Sequence, residues 1–403
     1  MKWMPGGVTT AQGFIASGVS SGIKRRRKLD LALVVSEAPA TAAATFTTNV
    51  VKAAPVLISR RRVRQGVAQA VLLNSGCANC LTGEPGIREA LQLGRQVAHE
   101  LGMAQEHVLL ASTGLIGSRL PVSKITRAIP ALVRRLARAN HRQAARAILT
   151  TDTVPKEVAV RESIDGRPVH LGGMAKGVGM MAPYMATMLS VLTTDAVIEA
   201  TFAAELLREA VEISFNRVTV DGDMSTNDSV FLLANGRSGA AVRRGTAQAR
   251  RFRAMLAGVT QRLAMLLVKD GEGATSVARI EVHGARTDRE AQGCARRIAS
   301  SLLVKTMLAG RDPNVGRIAA AVGASGARFD PSKLKISVEG LGTVVRRGAL
   351  APFDAVRARR WLKAHASACP LVTIDLHAGR ASAWMTTCDL TEEYVRINAH
   401  YST

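Results

Sequence analysis

Continuous apolar segments alternate with amphipathic segments along this chain, and the two patterns predict different elements. Apolar stretches typical of buried strands lie at residues 29–35, 67–73 and 107–111. Apolar and polar residues alternate, as in half-buried strands, at 280–283, 336–338 and 372–376. Apolar residues at helical spacing predict helices over 87–101, 122–136, 203–214, 247–267 and 290–303. Interleaved strands and helices favour a layered α/β fold over an all-α or all-β one.

Length and composition narrow this picture. With 403 residues, the chain has room for two or three packed subdomains. Apolar residues make up 47% but aromatic residues only 3%, so we expect an aliphatic core. The longest apolar runs are far shorter than a membrane span, and the N-terminus lacks the apolar region of a secretory signal. We therefore expect a soluble, cytoplasmic protein.

The net charge of +23 indicates a surface that attracts anions. The basic residues form short, scattered clusters, and Tyr and Trp are few. Nucleic-acid-binding proteins usually concentrate positive charge on one element and add aromatic residues for base stacking. A solvated basic surface is thus the favoured interpretation. Attraction of an acidic substrate and a nucleic-acid site are the two alternatives.

Five cysteines are too few, and odd in number, for a disulfide framework. Cys77 and Cys80 form a C-x-x-C pair, but no second pair follows at the spacing of a zinc site. Two reduced thiols in a glycine-rich loop are the favoured interpretation. A metal or redox site is the alternative.

Polar, glycine-rich segments adjoin several predicted strands, where binding and catalytic groups are commonly held. These segments span residues 74–79, 112–117, 150–153, 172–189, 221–228 and 270–275. The motifs of serine hydrolases, zinc proteases and P-loop nucleotide-binding proteins do not occur in the chain. These six segments are therefore the candidates for binding and catalytic groups.

The segment 172–189 places Thr187 at the start of a short apolar stretch that favours a strand. The Thr187 hydroxyl could attack the carbonyl of Ala186, and hydrolysis of the resulting ester would make Thr187 a new N-terminus. A free α-amine has a pKa of about 7.7–8.0 and can serve as the general base for its own hydroxyl. Considered alone, a threonine at a strand start is more often structural, because threonine favours strands.

Ordered motifs across nearly the whole chain resemble the ornithine acetyltransferase family of arginine biosynthesis, also called glutamate N-acetyltransferases. They run from Gly13-Phe14 to Ile397-Asn-Ala399, and the most specific one combines Lys176-Gly-x-Gly-Met with Ala186-Thr-Met-Leu189. The resemblance implies an αββα sandwich of the ornithine acetyltransferase and DmpA-like N-terminal-nucleophile type, with a smaller C-terminal α/β subdomain. It also implies self-cleavage between Ala186 and Thr187. Chains 1–186 and 187–403 would then form one catalytic unit, in an α2β2 heterotetramer.

By the same resemblance, acetyl passes from N-acetylornithine to Thr187 and then to glutamate, without a cofactor or metal. Acetyl-CoA as a second donor is left open. The Thr113 hydroxyl and the Gly114 backbone N–H form the oxyanion hole. The implied substrate-binding residues are Thr153, Lys176, Thr187, Glu272, Asn398 and Thr403.

The chain departs from the family pattern at four positions. Cys77 replaces an asparagine, Val315 a tryptophan, His400 an aspartate and Ser402 an arginine. The last two lie in the tail that should enclose the substrate. These departures motivate an alternative function, an N-terminal-nucleophile amidase or an acyltransferase with a different acyl donor.

Overall fold

The computed structural model describes residues 1–25, 27–182, 188–365 and 368–400. Its strands, in chain order, are β1 Lys2–Met4, β2 Phe14–Val19, β3 Leu31–Phe46, β4 Val67–Cys77, β5 Val108–Leu115, β6 Lys156–Ile164, β7 Arg167–Lys176, β8 Leu189–Thr194, β9 Val197–Ile198, β10 Val218–Thr219, β11 Ser229–Ala234, β12 Ala241–Val242, β13 Val277–Ala285, β14 Lys335–Val338, β15 Gly342–Arg346, β16 Ala349–Leu350, β17 Leu371–Asp375 and β18 Ala381–Cys388. Its α-helices are α1 Ala54–Arg62, α2 Gly83–Leu101, α3 Val122–Arg134, α4 His141–Ala147, α5 Ala200–Glu212, α6 Ala247–Lys269, α7 Asp288–Ala299, α8 Leu302–Gly310, α9 Gly316–Gly323, α10 Ala355–Ala364 and α11 Glu392–Ala399.

The larger sheet has the strand order β1-β6-β7-β8-β11-β3-β4-β5, with β2 paired to β3. The pairs β4–β5 and β8–β11 are parallel, so the carboxyl ends of β4 and β5 lie side by side. Every residue of β8 and β11 is buried, so both faces of these central strands are covered.

This sheet folds over on itself. Strands β7 and β5 are five positions apart in its order, which would separate them by about 24 Å in a flat sheet. Instead, the Nζ atom of Lys176 at the end of β7 lies 3.2 Å from Oγ1 of Thr113 on β5. The two halves of the sheet therefore bring distant loops to one place.

Alternate residues of the folded sheet face different layers. Leu73 of β4, Val191 of β8 and Phe231 of β11 share the inner core. The outer face of β4 and β5 packs against α2 and α3, and the outer face of β8 and β11 packs against α5 and α6. The layers are helix, sheet, sheet and helix, so the predicted αββα sandwich is confirmed.

The smaller sheet, β10-β18-β13-β17-β14-β15-β16, forms most of the C-terminal part of the chain. Helices α7, α8 and α9 pack on it around a second, aliphatic core. Val315, which stands where the family pattern has tryptophan, is buried in this core beside a cavity of about 30 Å³. The predicted smaller C-terminal α/β subdomain is confirmed.

One predicted helix is wrong. Residues 290–303 form parts of two helices, because α7 ends at Ala299 and α8 begins at Leu302. Ser301 adopts an extended conformation, with φ of −72° and ψ of 117°, and its hydroxyl accepts a hydrogen bond from the Val304 N–H. This cap starts a new helix in a segment whose hydrophobic spacing is continuous. Within the described ranges, no helix combines the length and hydrophobicity needed to span a membrane.

Candidate active site

All six polar, glycine-rich segments meet around one cavity of about 320 Å³ at an end of the folded sheet. The described residues that line it are Ala78, Thr113, Gly114, Leu115, Ile116, Thr150, Thr151, Lys176, Gly179, Met180, Ser225, Thr226, Asn227, Glu272 and Asn398. Folding of the sheet brings the ends of β4, β5 and β7 together with the loop that precedes β11.

The predicted oxyanion-hole residues lie in the wall of this cavity. Thr113 is nearly buried, and its hydroxyl oxygen accepts a hydrogen bond from Lys176 Nζ at 3.2 Å. Gly114 has a φ of +129°, and a Cβ atom there would lie 2.4 Å from the carbonyl carbon of Gly76. Only glycine lets the backbone of β5 pass this close to β4.

The loop before β11 forms hydrogen bonds to the strand that carries the predicted oxyanion-hole residues. The side-chain amide of Asn227 donates to the carbonyl of Ser112 at 2.8 Å and to that of Ala78 at 2.7 Å. Asn227 was not singled out from the sequence as a site residue, although its segment, 221–228, was. The side chain of Cys77 contacts Ser118 rather than the cavity, so this departure leaves the cavity lining intact.

A group of buried charges lies behind the cavity. Asp152 Oδ1 accepts from Lys156 Nζ at 2.7 Å, and Asp152 Oδ2 lies 4.0 Å from Lys176 Nζ. Lys156 Nζ also contacts Asp270 Oδ2, at 2.5 Å. Burial disfavours the ionised form of Asp152, but the Lys176 and Lys156 ammonium groups outweigh burial and keep its pKa below the usual range. Burial lowers the pKa of Lys176, and Asp152 opposes that shift.

Asp228 is a fully buried carboxyl that the sequence analysis did not assign to the site. Its Oδ1 accepts from the backbone N–H of Met188 at 2.9 Å, and its Oδ2 has no hydrogen-bond partner within the described ranges. Burial raises the pKa of this carboxyl well above its ordinary value. Asp228 thus anchors the residue that directly follows Thr187.

Helix α11 brings two of the predicted substrate-binding residues together. Glu272 Oε2 accepts from the Asn398 side-chain amide at 2.7 Å, and Glu272 Oε1 accepts from the Thr151 hydroxyl at 2.6 Å. Tyr394, on the same helix, donates from its hydroxyl to Asp221 at 3.3 Å. The C-terminal helix therefore closes one side of the cavity.

Among the described residues, Thr153 is the one predicted substrate-binding residue that does not line the cavity. Its hydroxyl and backbone N–H both donate to Asp270. Ala186, Thr187, Ser402 and Thr403 lie outside the described residues. His400 is exposed beyond the end of α11.

Cys77 and Cys80 are buried and free. The other three cysteines do not form disulfides either. In the part of the chain that the structure describes, no group of three or more His, Cys, Asp or Glu side chains could hold a metal ion. The C-x-x-C pair therefore shows no sign of a disulfide or of a metal site built from the described side chains.

Comparisons with known proteins place the chain in a family. The ArgJ family matches residues 15–403. The "Arginine biosynthesis bifunctional protein ArgJ" of Thermosynechococcus vestitus is 46% identical over 99% of this chain and 98% of the relative. The protein of the same name from Symbiobacterium thermophilum is 45% identical over 100% of both chains.

Solved structures give partial matches. An ornithine acetyltransferase from Mycobacterium tuberculosis, complexed with ornithine, is 42% identical, covers 47% of this chain and 99% of its own, and has a TM-score of 0.43. An L-aminopeptidase D-Ala-esterase/amidase from Ochrobactrum anthropi is 9% identical, covers 68% of this chain and 88% of its own, and has a TM-score of 0.43. The family match over residues 15–403 and the full-length relatives decide the assignment: this chain belongs to the ArgJ family.

Proposed function

We propose that this protein is a glutamate N-acetyltransferase of arginine biosynthesis, which moves acetyl from N-acetylornithine to glutamate through an acetyl-Thr187 intermediate. Membership of the ArgJ family supports the pathway and the enzyme class. The observation that carries the proposal is the cavity that joins Thr113 and Gly114 to one cationic side chain, Lys176, and one acidic side chain, Glu272. N-acetylornithine carries the complementary pair, an α-carboxylate and a side-chain ammonium.

Self-cleavage would prepare the nucleophile. Thr187 Oγ attacks the Ala186 carbonyl carbon, the C–N bond breaks, and the nitrogen takes up the hydroxyl proton to become an α-amine. Water then hydrolyses the ester between the two residues. The products are chains 1–186 and 187–403, which remain together as one catalytic unit.

Acetyl transfer follows in two similar halves. The Thr187 α-amine accepts the proton of its own hydroxyl while Oγ attacks the acetyl carbonyl of N-acetylornithine. Thr113 and Gly114 donate hydrogen bonds to the oxyanion, each worth roughly 2.7–4 kcal/mol by comparison with other oxyanion holes. As this intermediate collapses, the Thr187 ammonium returns the proton to the departing nitrogen, the amide C–N bond breaks, and ornithine is released. The amine of glutamate then attacks the acetyl ester, the bond from the acetyl carbon to Oγ breaks, and the α-amine passes the proton from the attacking nitrogen to Oγ. N-acetylglutamate leaves, and Thr187 is restored.

The other residues of the site would orient the substrates. Lys176 pairs with the α-carboxylate, and Glu272 pairs with the ornithine ammonium while Asn398 holds Glu272 in place. Thr153 would act through Asp270, since its hydrogen bonds go to that carboxylate. Thr403 would add a contact from the C-terminal tail.

Product analysis tests the proposed reaction. Purified protein incubated with N-acetylornithine and glutamate should form ornithine and N-acetylglutamate in equal amounts. Omission of glutamate should stop ornithine release. Steady ornithine and acetate release without glutamate would instead support the alternative amidase. A parallel assay with acetyl-CoA and glutamate determines whether a thioester also serves as donor.

The assembly and the basic surface are tested separately. Native mass measurement should give two copies of each chain, the proposed α2β2 heterotetramer.

We expect a cytoplasmic enzyme that does not bind nucleic acid specifically. DNA binding that persists at about 150 mM salt would revive the nucleic-acid alternative, because phosphate-driven affinity falls steeply with salt.

A further inference from the structure

The buried charges behind the cavity form a connected chain that ends on the oxyanion hole. Lys176 Nζ contacts Thr113 Oγ1 at 3.2 Å and lies 4.0 Å from Asp152 Oδ2. Asp152, Lys156 and Lys176 are almost completely inaccessible to solvent. Such charges are costly to bury, which indicates that they have a specific purpose at this place.

We infer that Asp152 is a positioning residue, which holds the Lys176 ammonium against Thr113 Oγ1 and thereby directs the Thr113 hydroxyl proton into the cavity. The inference deepens the proposed function and rests on it. It gives Lys176 a second task besides contact with the substrate carboxylate.

Hydrogen-bond chemistry supports the direction of the proton. A charged ammonium group has three donors and no acceptor, whereas a hydroxyl has one donor and can accept two bonds. Thr113 Oγ1 must therefore accept from Lys176, and its single proton remains for another acceptor. Because Thr113 lines the cavity, an oxyanion bound there can take that proton's hydrogen bond.

The arrangement requires a charged Lys176. A neutral amine has a lone pair, so it could accept the Thr113 proton and turn that proton away from the cavity. Burial favours the neutral amine, and the Asp152 carboxylate is the largest influence that opposes burial. Glu272 acts in the same direction as Asp152, while Lys156 acts against it.

Asp152 is itself rigidly held. Its Oδ1 accepts from Gly177 N–H at 2.9 Å and from Lys156 Nζ at 2.7 Å, and its Oδ2 accepts from the N–H of Thr150 at 3.1 Å. Lys156 is fixed in turn by Asp270. The two positive charges of Lys156 and Lys176 balance the two negative charges of Asp152 and Asp270. These four side chains therefore add no net negative charge behind the oxyanion.

A double-mutant cycle tests the inference. Asp152→Asn should lower kcat about tenfold or more in the wild-type background, and Thr113→Val should lower it further. In the Thr113→Val background, Asp152→Asn should have almost no additional effect on kcat, because the proton that it positions is gone. Independent, multiplicative effects in a folded and cleaved enzyme would overturn the inference. Thr113→Ser, which keeps the hydroxyl, should restore most of kcat and most of the coupling.

A second cycle covers the case in which Asp152→Asn does not fold or cleave. Lys176→Met paired with Thr113→Val should show the same loss of additivity in kcat, and multiplicative effects there would equally overturn the inference. Asp195→Asn is the matched control, since Asp195 is a fully buried carboxylate that pairs with His170 and does not contact Lys176. Its effect on kcat should be independent of Thr113→Val. Failure of the proposed function itself would be recognised differently, by a wild-type protein that stays intact or transfers no acetyl group.

Discussion

At the scale of single residues, we expect the site to depend on Gly114 and Asp228. Gly114 combines a positive φ with a close approach to the β4 backbone, and Asp228 buries a carboxyl oxygen that has no hydrogen-bond partner among the described residues. Gly114 was predicted as a site residue from its sequence context and the family resemblance. Asp228 was not, because nothing in a run of small polar residues tells which carboxyl becomes buried.

Gly114→Ala should destabilise the protein and abolish acetyl transfer. The added methyl would overlap the backbone of Gly76 and Cys77 as well as strain the positive φ. We expect a loss of more than about 2 kcal/mol in the free energy of unfolding, measured by urea denaturation. Gly117→Ala is the control, because Gly117 also has positive φ but open space around it. Equal losses for the two variants would contradict the close approach of β5 to β4.

Asp228→Asn should change how stability depends on pH. Burial raises the folded-state pKa of Asp228 above 3.8, so the folded protein holds this proton more tightly than the unfolded chain does. The carboxyl's stabilising contribution is complete below pH 3.8 and is lost as pH rises through the folded-state pKa. Asparagine does not titrate but can still accept from Met188 N–H.

The stability of Asp228→Asn relative to the wild type should therefore increase as pH rises from about 4 to 8. Urea denaturation at a series of pH values measures this difference directly. A difference that stays constant, or that falls with rising pH, would show that Asp228 is ionised in the folded protein.

At the scale of secondary-structure elements, hydrophobic periodicity predicted most of what forms. The stretch at 67–73 lies within β4, and the stretch at 107–111 begins one residue before β5. Helical spacing located α2, α3, α5 and α6. It failed between α7 and α8, because a side-chain cap at Ser301 interrupts a helix without changing the apolar pattern. Periodicity reports which face is buried, whereas element ends depend on individual hydrogen bonds.

We expect the contribution of helix α11 to substrate binding to depend on the hydrogen bond between Asn398 and Glu272. Asn398→Ala removes its hydrogen bond to Glu272 and should raise KM for N-acetylornithine by roughly two- to tenfold, with a smaller effect on kcat. Steady-state kinetics measure both constants. Val395→Ala on the same helix is the control, since Val395 is 62% exposed. Equal KM values for the two variants would argue against closure of the site by α11.

At the scale of the whole molecule, the folded sheet creates the site. The sequence indicated six loops at strand ends, but no local pattern reveals that β7 lies across from β5 rather than far along the sheet. That arrangement depends on inner-core packing between residues distant in sequence, such as Val71, Val191 and Phe231. The sequence therefore identified the segments that line the cavity, and the tertiary fold determined the contact of Lys176 with Thr113.

Above all, we propose that Thr187 becomes the N-terminal nucleophile of a two-chain enzyme. Denaturing mass spectrometry of the purified protein tests it most directly. The wild type should give two chains, 1–186 and 187–403. Thr187→Ala should give one intact chain without transferase activity. Thr187→Ser, which keeps a hydroxyl, should still be cleaved. A wild-type protein that is active as a single intact chain of 403 residues would contradict the account.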